Sequence, residues 1–162
     1  MSYLIDGNNL MGRTRGIDRQ APDARLQVLR RLAAFRNLPG QRPRRITVVF
    51  DGAPEPNFPD GSTFQGVHIF YAQPNSTADA LIKRRADQQK DKRALTVVTS
   101  DRALYNYVRA SGVQALTCEQ FNHRLQAALE AAGIEEKADV QLDTGELHEW
   151  MRYFGVEEEQ NQ

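Results

Sequence analysis

Cysteine is nearly absent from this sequence: one residue, Cys118, occurs in 162. A single thiol excludes an intrachain disulfide, a zinc cage of cysteines and a dithiol redox site. The sequence also has no apolar run near the ~18 residues that a membrane-spanning helix needs. A basic and then apolar leader is missing from its first residues as well. We therefore expect a cytoplasmic protein that has no membrane partner.

Net charge is also lacking, because 21 Lys and Arg balance 21 Asp and Glu. This balance argues weakly against a protein that coats nucleic acid by charge alone. The average hides a split: residues 1–113 carry 18 basic and 10 acidic side chains, whereas residues 114–162 carry 3 and 11. The basic part suits a phosphate-rich partner, although solvated arginine-rich helix faces give the same count. Charge alone leaves both explanations open.

Short apolar runs alternate along the chain with helical patterns. The runs predict strands at residues 3–5, 46–50, 67–71, 95–98 and 113–116, and the periodic segments predict helices at 21–37, 77–91, 102–110 and 117–133. Such alternation predicts a three-layer α/β/α fold with a mainly parallel central sheet. Residues 53–66 hold three prolines and are predicted to form a long exposed loop.

Two parts of unequal length follow from this pattern. Residues 1–133 form the predicted α/β domain, and residues 134–162 an acidic linker, an amphipathic helix and a polar tail. The helix begins at the capping box of Asp143 and Glu146 and carries Leu147, Trp150, Met151 and Phe154 on one face. This face either packs on the domain itself or is an interaction surface for a partner or a second copy. The sequence does not fix the oligomeric state.

Four aspartates occupy equivalent places after predicted strands. Asp6 and Asp51 directly follow the first and second strands, Asp101 comes three residues after the fourth, and Asp79 lies in the first turn of the helix after the third. Ligands of open parallel sheets bind beyond the carboxyl ends of the strands. We therefore expect these four carboxylates to share one edge of the sheet.

Each aspartate also has a local explanation. Asp6 and Asp51 precede glycine, as in an ordinary turn, and Asp101 is placed to cap a helix. Asp79 follows Ser76 at the spacing of a capping box. Four carboxylates at one edge would nevertheless repel one another unless a cation neutralised them. Carboxylate oxygens suit Mg²⁺ or Mn²⁺, whereas the three histidines are scattered, at His68, His123 and His148.

A hard metal ion at such an edge would favour a phosphate ester as substrate. Basic side chains lie close by in the sequence and could bind neighbouring phosphates: Arg102 follows Asp101, and Lys83 and Arg84 follow Asp79 on the same predicted helix.

Four linked motifs give the sequence a family resemblance. They are Leu4-Ile5-Asp6-Gly7-Asn8-Asn9-Leu10, Val48-Val49-Phe50-Asp51-Gly52-Ala53, Ser76-Thr77-Ala78-Asp79 and Val97-Val98-Thr99-Ser100-Asp101-Arg102. With these motifs in this order, the chain resembles the YacP-like branch of NYN-domain ribonucleases, relatives of the PIN nucleases, from about residue 3 to residue 130.

The resemblance implies a PIN-like, Rossmann-like fold and a metal-dependent endoribonuclease that leaves 5′-phosphate ends on RNA. It implies that Asp6, Asp79 and Asp101 bind Mg²⁺ or Mn²⁺, with Asn8 and Asp51 completing the site and Thr99, Ser100 and Asn9 orienting it. The implied partner is RNA, either mRNA or rRNA, with the ribosome as a candidate platform.

Two departures from the family pattern qualify this set. Asn8 and Asn9 stand where a tyrosine commonly precedes a single asparagine, so the two asparagines could exchange roles. Ala103 and Leu104 stand where many PIN relatives carry a further acid, which leaves one or two metal ions open.

Two other functions compete with the ribonuclease. The first is an RNA- or ribosome-binding module on the same fold whose cutting activity is weak or lost. The second is a small-molecule phosphohydrolase, which is disfavoured because the first strand ends in Asp-Gly-Asn and lacks the Asp-x-Asp pair of an aspartyl phosphoryl acceptor. A dinucleotide-binding protein is unsupported, since no G-x-G-x-x-G follows the first strand.

Overall fold

The computed structural model describes residues 1–40 and 45–133. Within these ranges every predicted strand and helix occurs, and the structure adds a helix at Gly7–Arg13 and a two-residue strand at Thr63–Phe64 that were not predicted. In chain order the elements are β1 Ser2–Asp6, α1 Gly7–Arg13, α2 Ala24–Asn37, β2 Arg45–Phe50, β3 Thr63–Phe64, β4 Val67–Tyr71, α3 Ala78–Gln88, a short 3₁₀ turn Lys92–Ala94, β5 Leu95–Val98, α4 Arg102–Ala110, β6 Gln114–Leu116 and α5 Cys118–Ala131.

The strands form one six-stranded sheet in the order β3-β4-β2-β1-β5-β6. Every neighbouring pair is parallel except β3 and β4, which are antiparallel. Helices α1, α2 and α5 cover one face of the sheet, and α3 and α4 cover the other. The predicted three-layer α/β fold with a mainly parallel sheet is therefore confirmed.

The central strands are apolar throughout because both of their faces are buried. On β2, Ile46, Val48 and Phe50 pack towards α1 and α2, whereas Val49 packs towards α3. Burial on both faces explains why this strand shows little polar alternation. Parallel pairing also places the ends of β1, β2 and β5 at one edge of the sheet, here called the carboxyl edge.

The first strand continues directly into a helix, so the turn predicted at Asp6 and Gly7 is wrong. The Asp6 side chain accepts a hydrogen bond from the Asn9 N–H and thereby caps α1. Gly7 is required by close packing, since a Cβ atom there would lie 2.5 Å from a ring carbon of Phe50. The turn after Asp51 does occur, with Gly52 at a φ of +93°.

Residues 53–66 are mostly irregular, as predicted, but they end in a strand. The short β3 pairs with β4, and an isolated bridge joins Glu55 to Phe58. Phe58 and Phe64 pack edge to face and contact the core, which fixes the segment against the sheet.

The predicted C-terminal amphipathic helix, with its linker and tail, lies outside the described residues. Within residues 1–40 and 45–133, every helix is too short or too polar to cross a lipid bilayer.

Candidate active site

Asp6 is the most buried carboxylate at the carboxyl edge, with 5% of its surface exposed. Its Oδ2 accepts a hydrogen bond from the Thr99 hydroxyl over 3.1 Å, and its Oδ1 faces the Asn9 N–H at 3.4 Å. The pKa of Asp6 is raised to about 6, chiefly by burial and also by the negative charges of Asp79 and Asp51, while these two hydrogen bonds lower it. Ionisation of the Asp6 carboxyl group is therefore less favourable in the folded protein than in water.

Asp79 lies in the first turn of α3, beside the other acids. The pKa of Asp79 is raised first by burial and then by the charges of Asp101 and Asp51, while Lys83 lowers it. The N-cap of α3 is Thr77, whose hydroxyl accepts the Ala80 N–H over 3.1 Å. The alternative in which Asp79 forms a capping box with Ser76 is thus not what the structure shows.

Asp51 joins the end of β2 to two helices. Its backbone N–H donates to the Asn8 side-chain oxygen over 3.0 Å, and its carboxylate accepts the Ala78 N–H over 2.8 Å. The first bond ties the loop to α1 and the second ties it to the start of α3. Asn8 therefore positions the Asp51 backbone.

Asp101 caps α4 by accepting the Leu104 N–H over 2.9 Å, as the local explanation predicted. Its own N–H donates to the Thr99 hydroxyl oxygen over 3.1 Å. The same hydroxyl donates to Asp6, so one fully buried threonine links the two acids that follow β1 and β5. The structure thus brings together Asp6, Asp51, Asp79 and Asp101 as one electrostatically coupled set.

The donor atoms of this set are those that a hard divalent cation prefers, and their mutual repulsion is what such a cation would relieve. Their positions, however, do not enclose an ion. Across the described part of the chain, no three Asp, Glu, His or Cys side chains are arranged to hold a metal ion together. The set fits a metal in chemistry and charge, while Asp51 also accepts the N–H of the first residue of α3 and Asp101 caps α4.

Asn9 occupies a second, adjacent network. Its side-chain oxygen accepts the Ser100 N–H and the Cys118 thiol, the latter at 3.4 Å. The Ser100 hydroxyl oxygen in turn accepts the Cys118 N–H over 2.9 Å. Burial raises the pKa of Cys118 to about 11, so this thiol stays protonated and acts as a donor. Asn9 and Ser100 thereby join α1, the end of β5 and α5.

Glu119 is a fifth acid at this edge that the sequence analysis missed. Its carboxylate accepts the Ser100 hydroxyl over 2.7 Å and pairs with Arg13 at 3.3 Å. These contacts, led by the Ser100 hydrogen bond, lower the pKa of Glu119. A signal existed: Glu119 comes three residues after β6, just beyond the end of a parallel strand.

Arg25 is a second missed residue, and it holds the loop that carries Asp51. Its guanidinium donates to the Asp51 carbonyl over 2.7 Å and to the Ala53 carbonyl over 2.9 Å. It also lies over the Phe50 and Tyr71 rings, at 5.4 and 5.1 Å from their centroids. No local sequence pattern predicts this contact, because Arg25 lies 26 residues before Asp51 in the chain.

The predicted phosphate-binding residues differ in their placement. Lys83 lies over the Tyr107 ring, 5.0 Å from its centroid, and its charge acts on Asp79. Arg102 is exposed at the start of α4, next to Asp101. Arg84 is exposed on α3, and its charge acts on Arg85. The charge of Lys83 thus acts on one of the coupled acids, Asp79.

Fold and site together define an α/β protein with four acidic side chains at the carboxyl edge of its sheet. The family model described as the YacP-like NYN domain matches residues 3–152, and the chain belongs to this family. The matched range continues beyond residue 130, where the resemblance drawn from the four motifs stops.

Solved structures agree with this assignment at the level of the fold. The chain is similar to crystal structures of Rae1 (YacP) from Bacillus subtilis and of its W164L mutant, each at 21% sequence identity. The TM-scores are 0.67 and 0.66, and the matches cover 82% and 80% of this chain and 78% and 77% of those chains. A comparison with curated proteins gave no match.

Proposed function

We propose that the protein is a metal-dependent endoribonuclease that hydrolyses phosphodiester bonds of RNA and leaves 5′-phosphate ends. The observation that carries this proposal is the coupling of Asp6, Asp51, Asp79 and Asp101 at the carboxyl edge. A protein keeps such mutually repelling, partly buried carboxylates at a cost in stability, which is typical of functional sites. Membership of the NYN family supports RNA as the substrate.

In this proposal Asp6, Asp79 and Asp101 would hold Mg²⁺ or Mn²⁺. A bound ion would neutralise these carboxylates and supply Lewis-acid polarisation of the phosphoryl group and of the attacking water. Thr99 holds Asp6 and Asp101 in position through its two hydrogen bonds, and Asn8 fixes the backbone of Asp51. Water attacks the phosphorus in line with the departing 3′ oxygen. The new phosphorus–oxygen bond forms as the bond to the 3′ oxygen breaks, the attacking water releases one proton to solvent, and the 3′ oxygen takes one up. Lys83, Arg84 and Arg102 are assigned to neighbouring phosphates.

A second candidate function, an RNA- or ribosome-binding module, is favoured by one observation. Asp51 and Asp101 are each already engaged by the start of a helix, and the acids of the described residues do not enclose an ion. In that case the same edge would bind RNA without cutting it. The first candidate remains the conclusion, because capping alone does not account for the raised pKa of Asp6 or of Asp79.

The test is purified protein on end-labelled single-stranded RNA with EDTA, Mg²⁺ or Mn²⁺, followed by analysis of the product ends. We expect cleavage only with a divalent ion, and loss of cleavage with retained RNA binding in Asp6→Asn and Asp79→Asn. Asp91→Asn is the matched control, since Asp91 is exposed and lies before β5 at the opposite edge. Cleavage that survives chelation, or binding without any cleavage, would reject the metal-dependent nuclease.

The cellular setting belongs to the same proposal. We assign the activity to the cytoplasm, where mRNA and rRNA are accessible and the buried Cys118 thiol stays reduced. If the ribosome is the platform, cleavage of an mRNA should be faster on translating ribosomes than on the free mRNA.

A further inference from the structure

Basic side chains gather at the amino edge of the sheet, opposite the acids. Arg45 begins β2, His68 lies on β4, and Arg85 lies in the last turn of α3. An Arg45 side-chain nitrogen lies 3.5 Å from His68 Nδ1. Burial lowers the pKa of His68, and the positive charges of Arg45, Arg36 and Arg85 lower it further. The three arginines therefore form one positively charged group beside His68, whose lowered pKa favours the neutral ring.

A cavity of about 220 Å³ opens beside this group. The polar residues that line it all carry hydrogen-bond donors and none is acidic; they are Ser2, Arg45, Thr47, Arg85, Gln88 and Gln89. A cavity whose polar lining has donors and positive charge but no carboxylate is suited to an anion.

Arg85, which lines this cavity, has an unpaired hydrogen-bond donor among the described residues. Its guanidinium lies over the Phe70 ring, 3.9 Å from the centroid, and within the described residues its buried Nε has no hydrogen-bond partner. Burial and the charge of Arg45 lower the pKa of Arg85. Asp60 acts on it in the opposite sense, but one Asp60 carboxylate oxygen is occupied by the Tyr71 N–H at 2.9 Å. A buried, unpaired guanidinium donor of this kind calls for an anionic acceptor.

The size and position of the cavity indicate which anion. Pockets for drug-sized molecules begin at about 300 Å³, so this one suits a phosphate group better than a whole nucleotide. Arg45 and Asp51 stand at opposite ends of β2, about 20 Å apart at roughly 3.3 Å per residue. Helix α3 runs between the two edges, with Asp79 in its first turn, Lys83 near its middle and Arg85 in its last turn, about 9 Å of helix rise from Asp79. A polymer of phosphates could contact both edges, whereas a small anion could not.

We propose that Arg45 and Arg85 bind a backbone phosphate of the RNA several nucleotides away from the bond that is cut, with the strand running along α3. The identity of the ligand as RNA rests on the proposed function; the anion site itself rests on the arginines and the cavity. The site supplies affinity and substrate length preference and takes no part in the chemistry.

The test measures binding by fluorescence anisotropy in EDTA, with labelled RNAs of two and of about 16 nucleotides. For the longer RNA, Arg45→Ala/Arg85→Ala should weaken binding roughly tenfold and reduce the slope of log Kd against log salt by about 0.7, the value for one lost contact to single strands. Binding of the dinucleotide should stay unchanged. The Arg45→Lys/Arg85→Lys variant should recover most of the salt slope, which separates loss of charge from loss of fold.

The matched control is Arg19→Ala/Arg124→Ala, which removes the same charge from exposed residues on the α1, α2 and α5 side of the sheet. Long-RNA affinity and salt slope equal to those of the control would overturn the proposal. So would an Arg85 Nε–H resonance that moves with inorganic phosphate but not with the long RNA. The result is independent of cleavage, so a protein that binds long RNA through Arg45 and Arg85 without cutting it would reject the nuclease and keep this site.

Discussion

The Thr99 hydroxyl donates its proton to the buried Asp6 carboxylate over 3.1 Å. With its lone pair it accepts the Asp101 N–H, also over 3.1 Å. Because Thr99 is fully buried, water cannot replace either contact. An uncharged residue therefore holds the two acids at the ends of β1 and β5.

Thr99→Val should test this link, because valine keeps the shape and removes both hydrogen bonds. We expect cleavage to fall about 10- to 100-fold, as for other partners of metal-binding side chains. The pKa of Asp6 should rise above about 6, so the acid limb of the pH–rate profile should move to higher pH. Thr99→Ser should restore both properties, and a profile unchanged in the valine variant would contradict the role.

Asp6→Asn should lose cleavage and gain stability at neutral pH. The pKa of Asp6 is about 6 when folded and near 3.8 when unfolded, so between these values only the folded state keeps the proton. The free energy of unfolding of the wild type therefore falls as the pH rises through this window, by up to about 3 kcal/mol. Urea unfolding should show the variant to be more stable at pH 7 and no more stable at pH 4. A gain that does not depend on pH would contradict this cause.

Added Mg²⁺ or Mn²⁺ should stabilise the protein, and more so at pH 7 than at pH 5. Below about pH 6 Asp6 is protonated, so a cation must first displace its proton. At 100 times the dissociation constant the stabilisation should be about 2.7 kcal/mol, measured as a rise in Tm. EDTA should reverse it, and Asp79→Asn should show little or none. An equal rise in Tm at both pH values would argue against binding through Asp6.

The two neighbouring asparagines should separate into different roles. Asn9→Ala leaves the Ser100 N–H without its acceptor and should cost about 1–3 kcal/mol in the free energy of unfolding. Asn8→Ala frees the backbone N–H of the exposed Asp51, which water can solvate, so it should cost less than about 1 kcal/mol and act mainly on kcat. Urea unfolding and cleavage kinetics should be measured for both variants, and each variant serves as the other's control. A larger loss of stability in Asn8→Ala than in Asn9→Ala would contradict these roles.

Arg25→Met should release the loop that carries Asp51, since it removes the donors to the Asp51 and Ala53 carbonyls. We expect a loss of about 1–3 kcal/mol in stability together with reduced cleavage. Arg25→Lys should not rescue it, because one ammonium cannot reproduce a planar fork of donors. Glu55→Gln removes only the 3.5 Å ion pair between Arg25 and Glu55 and should have a small effect on stability and cleavage. A large effect would mean that this ion pair, and not the bonds to the carbonyls, holds the loop.

Local rules located the acids because their positions depend on where strands end. Asp6, Asp51 and Asp101 each follow an apolar run, and parallel pairing brings such ends to one edge. The same rule applied to β6 would have found Glu119. The turn predicted after Asp6 was wrong because Asp-Gly is ambiguous: the glycine makes room for the Phe50 ring, and the aspartate caps a helix.

By itself, the sequence determined the alternation of strands and helices, the mainly parallel sheet and the edge at which the carboxylates gather. These features follow from apolar periodicity and capping, which act over a few residues. Only the tertiary structure decided that Thr99 links Asp6 to Asp101, that Arg25 holds the Asp51 loop and that Arg45 and Arg85 share a cavity at the far edge. Hydrogen bonds and burial of this kind join residues far apart in the chain, and their energy depends on distances that no local pattern encodes.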